Sequence, residues 1–264
     1  MKRSAVAQRR ECVFCHAPKL SKEHVIPQWV REVLLGLDTS AGTPFVHTSD
    51  SGSSVRSWAK NYLDFTVKRV CRDCNHGWMN LEIEKPARQA LTAMIQGRSI
   101  TLTPQDQEHV AAWTLKTHMM AQYRHTPTRH VVPEQLRWLS EHKRAPPKSR
   151  VWLAGYAGQP PGGAWGRTYH FRLYSPDVVG AGHVFDAEMM TLRIGHLVIQ
   201  TFKWSGPIEE FRMDLPSGIL PFLASIWPIN DSITWPSTWV LDNEESLANF
   251  AAQFVKTGEP PNVS

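Results

Sequence analysis

Long apolar runs are missing from this sequence. Nowhere in its 264 residues does an uninterrupted apolar stretch approach the roughly 18 residues that a membrane-spanning helix needs. Cysteine is scarce as well. Four residues in a chain of this size cannot staple a small secreted scaffold, and disulfides are not needed where 42% of the residues are hydrophobic and can build a core. The opening Met1-Lys2-Arg3-Ser4-Ala5-Val6-Ala7-Gln8-Arg9-Arg10 carries charge but no apolar segment, so it reads as a loose basic arm and not as a secretory signal. Reduced thiols and a cytoplasmic location are the expectation. There is no internal repeat, and no recognisable chemical motif beyond residue 100. Lys plus Arg exceeds Asp plus Glu by 29 to 24, a mild basic excess compatible with a polyanionic partner.

The few cysteines are not scattered. They fall into two C-x-x-C pairs, Cys12/Cys15 and Cys71/Cys74. Two such pairs bring four thiolates within reach of one ion, which is how a closed, tetrahedral, structural zinc site is built. Unpaired core cysteines or two disulfides are the alternatives, and the placement of all four in paired spacing argues against both. Glu23-His24-Val25-Ile26-Pro27 lies between the pairs, and Asn75-His76-Gly77-Trp78-Met79 follows the second. Lys68, Arg69 and Arg72 cluster at the second pair, where they could meet phosphates.

These segments, in this order over residues 10–85, resemble the HNH endonucleases, whose zinc-stapled treble-clef (ββα-metal) unit carries a D/E-H-x-x-P strand and a C-x-x-C-(H/N) helix start. The resemblance implies a metal-dependent endonuclease or nickase that hydrolyses phosphodiesters of DNA, RNA being left open. It makes His24 the general base and Glu23 a ligand of a catalytic Mg²⁺ or Mn²⁺. Asn75 is the second ligand, its neutral carbonyl oxygen suiting such hard ions, and His76 is its rival. Glu23 and His24 are neighbours on a strand and should face opposite ways unless the strand is bulged. The family's histidine-orienting asparagine has no counterpart just before Cys71; Asn61 is the nearest. A zinc module that binds nucleic acid without cutting it, and a zinc-stabilised protein-interaction domain, are the other two readings.

Patterning predicts an α+β chain: a zinc unit over 1–98 with a long loop at 38–56, then an extension of helices and antiparallel sheet over 99–264. The spacing predicts a strand at 22–27, a helix from Trp29 to about Gly36, and a strand at 63–70. A helix from Asn75 should turn Trp78, Leu81 and Ile83 inward. Thr103-Pro104-Gln105-Asp106 is a strong helix start, and a further helix is expected at 133–143. Strands at 151–156, 169–174 and 189–204, the last broken at Gly195, read as a meander. Residues 217–227 form either a helix or a strand, and the final helix carries Leu247, Phe250, Ala251 and Phe254 on one face.

Overall fold

A computed structural model describes residues 11–37, 47–50, 66–123, 132–159, 162, 164–174, 184–206, 208–211 and 213–256. The basic arm, Asn61 and the 38–56 loop apart from 47–50 lie outside the described residues. The fold mixes helices and sheets, as an α+β chain should. Strand β1 (Leu20–His24) leads into α1 (Gln28–Leu35), and β2 is His47–Asp50. Strand β3 (Thr66–Cys71) runs into a short α2 (Arg72–Cys74) and then a wide, π-type helical segment, Asn75–Glu84. The segment is kinked at Gly77, whose φ of −81° and ψ of −117° are not helical, and the kink changes which side chains face inward. Ile83 is buried and Trp78 half-buried, as expected, but Leu81 is 52% exposed and Met79 is buried beside Ile83 in its stead.

Pro86 opens α3 (Lys85–Ile95) at its first turn, where a missing N–H costs nothing. Gly97 closes it at φ 74°, with Gly97 N–H donating to Met94 O and Arg98 N–H to Ala93 O. After β4 (Ile100–Leu102), Thr103 caps α4 (Pro104–Gln122) in a reciprocal box with Asp106. Helix α5 (Pro133–His142) follows.

The larger sheet is built from β5 (Ser149–Tyr156), β6 (Ala164–Tyr174), β7 (Val184–Ile194) and β8 (Leu197–Trp204). Gly195, at φ 59°, makes the β7–β8 turn. The expected meander holds for β6–β7–β8, but β5 pairs with β8 and not with β6. Strand β2 adds in parallel to β6, and β9 (Ala224–Trp227) and β11 (Val240–Leu241) add to β5. Between those two, β10 (Ile233–Trp235) pairs instead with β4. Residues 217–227 thus resolve into a short 3₁₀ turn, Leu220–Phe222, and β9.

Each face of this sheet buries its own core. On one face α6 (Glu244–Lys256) packs Leu247, Phe250, Ala251 and Phe254 against Trp152, Phe202 and Trp204. On the other lies α4, buried on nearly all sides because α3, the π-type segment, β8 and β9 surround it. The core on this side is continuous from Cys12 and Val70 through Met94 and Trp113 to Ile199, so it crosses the 98/99 division.

That same face carries a polar row. His170, Glu188 and Lys203 stand directly opposite one another on β6, β7 and β8. Glu188 bonds to the Lys203 ammonium, His170 Nδ1 lies 2.6 Å from Glu188 Oε1, and Gln122 and His118 reach down from α4. Burial raises the Glu188 carboxyl, but Lys203 and the two histidines outweigh it and hold it down at about 2. A carboxyl lowered on folding from an ordinary 4.5 stabilises fully above that value, and the contribution is lost as pH falls towards 2. Glu188→Ala strands a buried Lys203, and denaturant unfolding at neutral pH should show a loss of about 3–5 kcal/mol. The same variant should lose the wild type's extra stability gain between pH ~2 and ~4.5.

Candidate metal centre and the His24 strand

The four cysteines converge although 56 residues separate Cys15 from Cys71. Local backbone geometry sets each half. In the first, Cys12 N–H donates to Ala17 O and His16 N–H to Cys12 O, with His16 left-handed at φ 61°. In the second, Cys71 ends β3 and its Sγ accepts from Cys74 N–H at 3.4 Å. Val13 N–H donates to Arg69 O, joining the halves, and Phe14 meets Trp78 edge-on at 4.9 Å.

All four sulfurs lie within 4.8 Å of one another, and none is in a disulfide. A tetrahedral ion with metal–sulfur bonds near 2.3 Å spaces its sulfurs by ~3.8 Å, so the cluster can hold one metal ion. The electrostatics fit a cation at its centre. Burial raises the Cys12 thiol, but backbone N–H groups of Cys71, Cys15 and Phe14 turned towards it bring it below its ordinary value. Burial keeps the Cys74 thiol far above its own. Four thiolates here need a positive charge among them.

The centre lies at one end of the two-stranded sheet of β1 and β3, and His24 lies at the other. Strand β1 pairs antiparallel with β3, His24 opposite Thr66 and Glu23 opposite Val67. The bulge falls between Ser21 and Glu23, so Glu23 and His24 keep the ordinary alternation. His24 and its exposed partner Thr66 lie on the outer face, and exposed Lys68 lies two residues from Thr66 on that same face. Glu23 points inward and is 3% exposed.

On the inner face Glu23 meets a residue from α4. The Lys116 ammonium donates to Glu84 Oε1 at 2.7 Å and to Glu23 Oε1 at 3.3 Å. Lys116 is fully buried. Burial would lower it, but Glu84 and Glu23 more than reverse that and keep it charged. The carboxylate expected on a catalytic ion is therefore engaged by an internal cation, on the opposite side of the strand from His24.

The other expected residues divide as follows. Asn75 sits at the start of the π-type segment, and its Nδ2 donates to Ser21 Oγ at 3.3 Å and to Lys22 O at 3.2 Å. It thus ties the second cysteine pair to β1, and among the described residues its carbonyl oxygen takes no hydrogen bond. His76 is exposed. The basic cluster splits, because Lys68 and Arg72 are exposed while the Arg69 guanidinium lies 5.4 Å from the Tyr123 ring centroid. Sequence reasoning missed Lys116 and Glu84. A lone lysine among Trp113, Thr114, Leu115 and Thr117 was the available signal, since a charge amid apolar helical positions must find a partner.

No family model, curated protein or solved structure matches this chain. Among the described residues no helix is long and apolar enough to cross a membrane.

Proposed function

We propose that residues 11–84 form a zinc-stapled treble-clef (ββα-metal) unit of HNH type, and that the protein is a metal-dependent endonuclease or nickase acting on DNA. The observation that carries this reading is the outward-facing His24 at one end of the two-stranded β1–β3 sheet whose other end is closed by four cysteines. The helical segment after the second pair is tied back to that strand through Asn75. A strand held by both the cysteine centre and the helical segment suits a group that must take a proton from a positioned water.

In this mechanism His24 accepts the proton of the attacking water. Asn75, through its carbonyl oxygen, and the exposed His76 are the donors that would hold a divalent ion, Mg²⁺ or Mn²⁺. Such an ion supplies charge neutralisation on the phosphate and leaving oxygen. Lys68 and Arg72 hold the backbone by its phosphates. Glu23 contributes from the inner face by fixing the strand.

A second reading, nucleic-acid binding without cleavage, is favoured by one observation: Glu23 is engaged by Lys116. Supercoiled plasmid incubated with the purified protein and Mg²⁺ or Mn²⁺ separates the two. Nicked or linear product supports the nuclease, retention without cutting supports the binding module, and neither sinks both.

On either reading, the double variant Lys68→Glu, Arg72→Glu should bind duplex DNA more weakly. Its plot of log affinity against log salt should flatten by up to about two units, one for each lost phosphate contact. Unchanged binding would move the interface to another face. Arg69→Glu is the contrast, because it breaks a packed contact with Tyr123 and should lower melting temperature as well.

A further inference from the structure

Lys116 is delivered by α4, far from the cysteine pairs in sequence, into contact with the strand of His24. Every residue of the helix from Val110 to Met120 is buried, so Lys116 sits well inside a buried stretch. Its ammonium sits between two carboxylates, Glu84 from the π-type segment and Glu23 from β1. The three side chains are at most 15% exposed. A pair of carboxylates converging in such a place is where a divalent ion would otherwise bind. An ammonium there supplies positive charge from a fixed position on the chain, with three donors.

We propose that Lys116 is a positioning residue for the His24 site: its ammonium takes the place of a divalent ion between Glu23 and Glu84 and clamps β1 to α4. The inference rests on the nuclease reading for its functional consequence, but not for its geometry. It assigns residues beyond 98 a part in the site, because the cation that fixes the His24 strand comes from α4. It also closes Glu23 to metal and leaves the outer face as the place where a catalytic ion would bind.

Two measurements on the full chain, isolated with its bound metal, test this. The first is Mn²⁺ binding followed by electron paramagnetic resonance. Glu23→Gln, which keeps a hydrogen-bond acceptor for Lys116, should bind Mn²⁺ within about twofold of the wild type. A tenfold or greater loss of affinity would make Glu23 a metal ligand and overturn the proposal.

The second measurement reads the position of His24. The triple variant Lys116→Met, Glu23→Gln, Glu84→Gln removes the ion cluster without leaving a charge buried, so it should keep fold and cysteine-bound metal. Its His24 ring resonances should nevertheless shift in NMR spectra, and in the cleavage assay kcat should fall about tenfold with KM unchanged. His24 signals at wild-type positions in the folded triple variant would overturn the proposal. Should the triple variant not fold, Glu84→Gln is read the same way, since an ammonium released from Glu84 moves towards Glu23. Absence of cleavage in the wild type would end the nuclease reading alone, because the Mn²⁺ and NMR measurements do not depend on cleavage.

Discussion

Removing one thiolate from the four-cysteine centre should unfold the two-stranded sheet that it closes. Cys71→Ser is the sharpest choice. Cys71 ends β3, caps the following helical turn and takes the Cys74 N–H on its sulfur, so its loss touches strand, helix and metal together. On the proposed zinc identity, elemental analysis of the wild type should find one zinc per chain, and Cys71→Ser should lose it. Binding energy at a structural zinc site is folding energy, about 10–16 kcal/mol in isolated zinc-finger peptides, far more than the stability margin of an ordinary domain. Among the described residues the first knuckle has few backbone bonds, the short-range Cys12–Ala17 and His16–Cys12 pairs and one bond to Arg69, beside the packing of Phe14 on Trp78. The melting temperature should therefore fall steeply, with the β1–β3 sheet lost first. Core around Trp152, Trp204 and Phe254 lies on the far face of the large sheet and should outlast it. A metal-free wild type, or an unchanged melting temperature in Cys71→Ser, defeats the assignment.

The second large effect concerns chemistry rather than folding. His24→Ala should reduce DNA cleavage by a factor on the order of 10²–10⁴, the usual worth of a positioned general base. Bound metal and melting temperature should stay near wild type, because His24 is not among the four cysteine ligands and lies on the outer face of its strand. Asn75→Ala should cut activity too, by a different route: it removes a candidate metal donor and also the tie to Ser21 and Lys22. Raised Mn²⁺ should restore part of the first loss and none of the second. A wild type that cuts while His24→Ala cuts equally fast removes His24 from the mechanism. Unfolding in His24→Ala would make it a structural histidine instead.

Much of this molecule was legible because the signals are local. The two C-x-x-C pairs announce their shared centre through spacing alone, and the sulfurs do converge. Thr103 and Asp106, Pro86, Gly97 and Gly195 each mark a helix end or turn through a backbone requirement that only a few residue types meet. Strand alternation placed Glu23 and His24 on opposite faces before their surroundings were known.

What lay on each face was another matter. Alternation says that Glu23 points away from His24. It does not say that Lys116, 93 residues later, waits on that side with Glu84. The same limit hid the row of His170, Glu188 and Lys203, whose members become neighbours only through the register of three strands. It also hid the split between Arg69, turned to Tyr123, and the exposed Lys68 and Arg72. The kink at Gly77 after Cys74 put Met79 beside Ile83 in the buried face and left Leu81 outside, a phase that an unbroken helix does not foresee. Caps, turns and ligand spacing depend on atoms a few residues apart, so the sequence records them directly. A buried charge must be neutralised by whatever the packed interior brings beside it, and that neighbour is chosen by how strands and helices assemble.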